Sequence, residues 1–254
     1  MLKMVFSVIV DLNDRKGCQT AAFTIGAGST PTRSWDIMVT QYDCSNVDAA
    51  GPPGCLQYFT GVSGNIMSYN FPVGATAAVT ATSMSKLLVW LYIQIYLFLS
   101  LATHLSNQKY TICIRREANM KAICYTAIAA NAAAPATQSS FGLSAGAGAL
   151  TNDACGSDYI EITSALAAAD VVATTMPHLG ATADLAHKLC GRALNNAGGA
   201  AATVCSAAMP FRIGVNFDAD EETVAAGATT ATDERFMDTG AIVGFKLAFK
   251  QVSA

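Results

Sequence analysis

CGSDYIEI at residues 155–162 opens a series of short segments that decides the fold, and CG (190–191), PFRIGVNFDAD (210–220) and GFKLAF (244–249) continue it. Apolar and polar residues alternate with period two, which places one set of side chains on each face of a pleated strand. The apolar sets predicted to point inward are Phe211, Ile213, Val215 and Phe217, then Phe245, Leu247 and Phe249. Half-buried strands separated by turn-rich stretches predict an all-β sandwich.

The composition of the 254-residue chain indicates a secreted protein rather than a nucleic-acid-binding one. The net charge is -3, which gives no reason to expect a nucleic acid partner. Charged residues make up 13% of the chain, compared with roughly 25% in average proteins. Eight cysteines in a chain of this size favour an oxidising compartment, where thiols pair as disulfides. We therefore expect an extracellular location.

The order of these segments resembles a CUB domain, an extracellular antiparallel β-sandwich of the jelly-roll type. GNIMSYNFP (64–72) is similar to the family's opening G-x-I-x-S-P-N-Y-P, with Tyr69 in place of the first proline. LSNQKYTICIR (105–115) resembles the family's Y-x-x-x-x-x-C-x-W strand, with Arg115 in place of tryptophan. With GPPGCLQYFTG (51–61), the set is similar to an arthropod group of CUB-domain proteins. The resemblance implies a non-enzymatic module that binds an extracellular protein or carbohydrate.

The resemblance also implies a pattern of disulfides. Cys155 with Cys190 would form the family's second bridge, and Cys55 with Cys113 the first. Cys124 and Cys205 are left over, and the sequence allows them either to pair or to stay free. Zinc is the rival use of cysteine, but the chain has no C-x-x-C pair and no histidine at ligand spacing.

The same resemblance bears on calcium. Many CUB domains bind the ion through one Glu and two Asp residues, the hard oxygen ligands that it prefers. By position, Asp158 and Asp220 match the two aspartates, whereas Ser144 stands where the Glu is expected. A calcium site here would therefore lack one carboxylate and bind more weakly. Asp218, Glu221 and Glu222 could supply the missing carboxylate, but such a cluster is more commonly a set of solvated loop carboxylates, in which case the protein has no cofactor.

A weak internal repeat suggests a second, truncated module at residues 1–45. SWDIMVTQ (34–41) is predicted to form a half-buried strand, and it shares the pattern aromatic-x-apolar-x-apolar-x-Gln with FKLAFKQ (245–251). Cys18 and Cys44 flank the first copy and are inferred to pair. We therefore predict the closing strands of a CUB-like module at 1–45, followed by a CUB-like sandwich at 46–254.

A hydrophobic segment at 84–102 interrupts the second module. Its apolar run contains only Gln94 and Ser100 as polar residues and is near the lower limit of length for a membrane helix. A span would separate Cys55 from Cys113 across the bilayer and split the sandwich, so a translated intron is favoured over a membrane anchor or a core element. The alternative function is therefore a membrane-anchored extracellular protein. Spliced transcript read across the segment distinguishes these interpretations.

The sequence gives little reason to expect catalysis. The three histidines, His104, His178 and His187, lie in loop-like sequence away from any G-x-S-x-G, H-E-x-x-H or P-loop motif. We predict that they are surface histidines and that the chain is not an enzyme.

Overall fold

All regular structure in the described part of the chain is β-structure, apart from one 3₁₀ turn at Asn152–Ala154. The computed structural model describes residues 8, 37–43, 45–46, 48–69, 71, 104–105, 107–128, 140–143, 148–167, 186–196, 201–219 and 244–253. The strands in these ranges are β1 (Gln57–Phe59), β2 (Ser63–Met67), β3 (Gln108–Ile114), β4 (Met120–Ala127), β5 (Phe141–Gly142), β6 (Ala149–Thr151), β7 (Tyr159–Ala167), β8 (Ala186–Gly191), β9 (Val204–Ser206), β10 (Arg212–Phe217) and β11 (Gly244–Ser253).

The strands form two layers. The first layer has the order β1-β3-β10-β7-β8-β6, and the second has the order β9-β4-β11-β2, with β5 beside the start of β11. Strand pairs are antiparallel except for β1 and β3, which run parallel. A parallel pair needs a crossover connection, and here the connection passes through β2 in the other layer. The predicted all-β sandwich is therefore confirmed, with this one parallel pair as a departure from a purely antiparallel arrangement.

Strand β7 joins the two layers. Its first half pairs with β10 and β8 through Tyr159–Glu161, and its last residues, Leu166 and Ala167, pair with β9 in the other layer. The register shifts between these halves, where Ser164 has a φ of 53°. This local left-handed conformation bends the strand. One continuous strand thus closes the sandwich on one side.

The predicted alternation is confirmed in the two strands that carried the prediction. In β10, Ile213, Val215 and Phe217 are buried, whereas Arg212 is exposed. In β11 the burial alternates in the same way up to Lys250, which is exposed. Each strand therefore presents one apolar face to the space between the layers.

Large apolar side chains from both layers fill this space. Those with almost no exposed surface are Tyr125, Phe141, Phe211, Phe217, Phe245, Ile66, Ile112, Ile123, Leu143, Ile160, Ile162 and Leu189. Complete burial of such a side chain stabilises the fold by about 1.5–3 kcal/mol. These side chains form the core between the two layers.

Three disulfides reinforce the layers. Cys55–Cys113 and Cys155–Cys190 lie in or beside the first layer, each with a Cα–Cα distance of 5.7 Å, and they are the pairings that the family resemblance implies. Cys124–Cys205 is a cross-strand bridge between β4 and β9, with a Cα–Cα distance of 3.9 Å. The open question about this last pair is thereby resolved in favour of pairing. Both cysteines of the pair inferred from the repeat, Cys18 and Cys44, lie outside the described residues.

The N-terminal repeat was predicted to contain a half-buried strand, and this is wrong for the part that the structure describes. Residues 37–43 are in no strand, and Ile37, Met38 and Val39 are 54%, 89% and 81% exposed. Period-two alternation gives a segment one apolar and one polar face, but a strand also needs a neighbouring strand with which to form backbone hydrogen bonds. Segment 84–102 lies outside the described residues, and among the residues that are described there is no helix with the length and apolar character of a membrane span.

Candidate functional site

One end of the sandwich is closed by a buried polar cluster centred on Asp158. Here β3 and β7 begin and β10 ends, so that Asp158, which directly precedes β7, comes close to Asp218, which directly follows β10. Asp158 Oδ1 accepts a hydrogen bond of 2.8 Å from the Asp218 backbone N–H. The carbonyl of Asp218 in turn accepts the backbone N–H of Asn107 at the start of β3. The carboxylate of Asp158 is therefore part of the joint between three strands.

His104 provides the other half of this cluster. Its Nε2 lies 2.8 Å from Asp158 Oδ2, and the exposed fractions of the two side chains are 0% and 1%. The imidazole also stacks on the ring of Phe217, with a centroid distance of 4.0 Å and an interplanar angle of 27°. The cluster is thus a histidine–carboxylate contact sealed from solvent by an aromatic ring.

The prediction that His104 is a surface histidine is wrong. The side chain lies next to a carboxylate that is 54 positions further along the chain and against the ring of Phe217. No local pattern around His104 indicates either contact, because both arise only when β3, β7 and β10 come together. The prediction for His187 is confirmed, since this residue is exposed on β8, and His178 lies outside the described residues.

Of the three positions predicted for a calcium site, the structure describes only Asp158. Asp220 and Ser144 lie outside the described residues. Calcium takes six to eight oxygen ligands at about 2.3–2.6 Å, but both Asp158 oxygens face nitrogen groups, the Asp218 amide and the His104 ring. Among the described residues no group of three His, Cys, Asp or Glu side chains is placed to hold a metal ion. The described surroundings of Asp158 therefore do not fit a calcium ion.

The opposite end of the sandwich carries a second polar network. Glu117, in the turn between β3 and β4, accepts the Gly61 backbone N–H at 2.7 Å and lies 2.9 Å from Arg115 Nη2. These two contacts hold the pKa of the Glu117 carboxyl below its usual range, and the hydrogen bond from the Gly61 amide has the larger effect. Gln251 of β11 closes the network, because its side-chain Nε2 donates to the carbonyls of Gly61 and Arg115.

Arg115, the residue that replaces the family's tryptophan, is central to this network. It pairs with Asp48 as well as with Glu117. Both carboxylates raise the pKa of its guanidinium, and Asp48 has the larger effect. The substitution is therefore accommodated by carboxylates on two neighbouring loops. Sequence comparison identified the substitution but not its partners.

Beside this network lies an open groove, which we call the Arg116 groove. It has a volume of about 420 Å³ and is lined by Arg116, Asn119, Met120, Lys121 and Ser253. Arg116 and Lys121 are exposed, and the nearby carboxylate of Glu117 is directed to Arg115 and Gly61. The groove therefore offers two cationic side chains, an amide and a hydroxyl. Sequence analysis did not identify it, because a hairpin turn and the end of β11 form it together.

The described histidines do not form a site with a nucleophile. His187 Nδ1 accepts a long hydrogen bond of 3.4 Å from the backbone N–H of Ser164, which lies at the bend in β7. The partner of this nitrogen is therefore a backbone amide and not a side-chain nucleophile. His104 is engaged with Asp158 in the interior. Neither arrangement places a base beside an accessible nucleophile.

Comparison with known proteins agrees with this architecture. A family model described as the animal CUB domain matches residues 52–252. No curated protein matches the chain. The matched range includes every strand that the structure describes except the last residue of β11.

Proposed function

The chain belongs to the animal CUB domain family, and from this premise we propose that it is a secreted, non-enzymatic module that binds an extracellular protein or carbohydrate. Domains of this family are in general extracellular binding modules. Nucleic acid is not an expected partner, because the net charge is -3. The alternative, a membrane-anchored extracellular protein, depends entirely on segment 84–102.

The single observation that carries the proposal is the set of three disulfides. Two of them brace one layer and the third braces the other. Disulfides of this kind form and persist in oxidising compartments and are rare in the cytosol. A sandwich stabilised in this way, with loops and turns at its ends, is suited to presenting those loops to a partner outside the cell.

The Arg116 groove is the surface that we propose for ligand contact. Arg116 and Lys121 supply positive charge in an exposed groove, and guanidinium groups bind carboxylate and sulfate-like anions in bidentate fashion. We therefore propose a partner that presents an anionic group, either an acidic protein loop or an acidic sugar. Met120 adds an apolar wall to the groove.

The proposal is tested with full-length protein exported from a eukaryotic secretory pathway. Mass spectrometry is expected to show Cys55–Cys113, Cys124–Cys205 and Cys155–Cys190 as bridges. The protein is then screened on arrays of extracellular protein ectodomains and of neutral and acidic glycans. Saturable binding that reduction and alkylation abolish supports the proposal. Free thiols in the exported protein, or no binding on either array, would contradict it.

The contribution of the groove is tested by charge reversal. Arg116→Glu with Lys121→Glu is expected to weaken binding at least tenfold, because both cations are replaced by anions. Lys109→Glu with Lys250→Glu is the matched control, since both lysines are exposed on strands outside the groove and the change in net charge is the same. Equal loss of binding in both double variants would show a general charge effect and would contradict a specific role for the groove.

We also propose that residues 1–45 are the remnant of a further CUB-like module, in which residues 37–43 do not form a strand. In β11, Gln251 is buried and holds the Gly61 and Arg115 carbonyls, which gives a physical reason for the glutamine at the end of the shared pattern. Gln41 occupies the corresponding place in SWDIMVTQ. Removal of residues 1–45 is then expected to leave the melting temperature of the 46–254 sandwich unchanged. A marked decrease would show that the segment is part of that sandwich.

A further inference from the structure

The pair His104 and Asp158 has less contact with water than any other described acid–base pair. The two side chains are 0% and 1% exposed, with 2.8 Å between Nε2 and Oδ2. A buried carboxylate is costly unless its oxygens are compensated by donors or by a cation. Here the Asp218 amide donates a hydrogen bond to Oδ1, and the imidazole Nε2 lies 2.8 Å from Oδ2.

We propose that His104 takes the position that a calcium ion would otherwise occupy, so that this end of the sandwich is held together without metal. The imidazole fixes Asp158, which holds the Asp218 amide at the end of β10, and the Asp218 carbonyl holds Asn107 at the start of β3. This inference is independent of the proposed binding function, because it concerns how the end is built.

Packing around the ring supports the replacement. The ring lies flat on Phe217, which fixes its plane. On another side, Gly244 has a φ of +118°, and a Cβ placed there would lie 3.5 Å from His104 Cβ and 2.5 Å from Ser68 Oγ. Glycine is therefore needed to leave room for Ser68, whose hydroxyl accepts the Phe245 backbone N–H, whereas the contact with His104 would be an ordinary van der Waals contact. An ion at Oδ2 would have to displace the imidazole from this packed position.

The sequence provides an independent indication. Ser144 stands where the family's calcium ligand set has Glu, so the carboxylate expected at that position is missing. Loss of an oxygen ligand and gain of a nitrogen group beside the remaining aspartate both act against calcium. Histidine nitrogen is not among the hard oxygen ligands that calcium prefers.

The first test is calcium titration of the full-length protein by calorimetry and by thermal unfolding. Extracellular modules bind calcium with dissociation constants of about 0.1–1 mM, so the comparison is between excess EDTA and several millimolar calcium. We expect no saturable heat and the same melting temperature in both. Saturable binding with a higher melting temperature in calcium, lost in Asp158→Asn, would overturn the proposal.

The second test addresses the role of the ring. His104→Ala is expected to lower the melting temperature equally in EDTA and in calcium, whereas His104→Gln, which keeps an N–H donor, recovers part of the loss. His187→Ala is the matched control, because that histidine is exposed, and it should leave the melting temperature unchanged. A His104→Ala protein as stable as the wild type would overturn the proposal. If His104→Ala does not fold, the His104→Gln comparison and the wild-type titration still decide the matter.

Discussion

The hydroxyl of Tyr125 offers a direct test of the core. Tyr125 lies on β4, is 0% exposed, and its hydroxyl has no hydrogen-bond partner among the residues that the structure describes. Burial raises the pKa of this phenol well above its ordinary value, as expected for a group withdrawn from water. A buried polar group left unsatisfied costs about 1–3 kcal/mol. Tyr125→Phe removes the hydroxyl and keeps the ring, so we expect the free energy of unfolding to rise by about 1 kcal/mol.

Tyr69→Phe is the matched control, because it makes the same chemical change where the hydroxyl is used. The Tyr69 hydroxyl hydrogen-bonds the Gln57 side chain, and removal of such a bond costs about 1 kcal/mol. The two variants should therefore shift stability in opposite directions. Urea denaturation with a shared m-value measures both free energies, and thermal unfolding should show shifts of about 2–4 °C per kcal/mol for a domain of this size.

The sign of the Tyr125→Phe change decides the outcome. A variant less stable than wild type by about 1 kcal/mol would mean that the hydroxyl makes a hydrogen bond in solution and that this part of the core is arranged differently. The same sign for Tyr125→Phe and Tyr69→Phe would show that loss of a hydroxyl has a general effect. In either case the packing of β4 against β9 and β11 would need revision.

Three further predictions concern the backbone, the network at Arg115 and the disulfides. Gly191→Ala should destabilise the fold by at least about 3 kcal/mol, because φ is +82° and the new Cβ would lie 2.1 Å from the Gly148 carbonyl oxygen, whereas Gly156→Ala, with open space around it, should be neutral. Denaturation of both variants checks this. The pKa of Glu117 is lowered in the folded state, so its contribution is present above the unfolded pKa and is lost as pH falls through the folded pKa. Unfolding measured from neutral to strongly acidic pH should show a smaller loss for Glu117→Gln than for wild type, and identical curves would contradict this. Replacing Cys124 and Cys205 with serine should cost about 2–5 kcal/mol, and a melting temperature insensitive to reductant in the wild type would refute it.

Sequence periodicity was sufficient for the strands that form the core. β10 and β11 alternate strictly, and because both have one buried face, the burial of Val215 and Leu247 follows directly from the pattern. The same reasoning failed for Val39, which is 81% exposed outside any strand. Alternation describes a segment's faces, whereas pairing depends on which neighbours the fold supplies.

The candidate sites were much harder to predict, because their residues meet only through the fold. Asp158 was identified by the family pattern, but its partner His104 precedes β3 and has no motif of its own. The Arg116 groove combines a turn after β3 with Ser253 at the end of β11. The pairing of Cys124 with Cys205 likewise requires β4 and β9 to be neighbours. Residues that are distant in the chain give no local signal of such contacts.

The two ends of the sandwich differ in how they use their polar groups, and this difference supports the ligand site that we propose at the Arg116 groove. At the Asp158 end the carboxylate and the imidazole are buried against each other out of contact with water, so a ligand could reach them only by separating the strands that meet there. At the other end, Glu117 and Arg115 satisfy each other while Arg116 and Lys121 remain exposed in the groove. A ligand can therefore use the groove without disturbing the network that holds the loops. Under the proposed function, stability and recognition depend on different residues, and variants in the groove are expected to change binding without changing the fold.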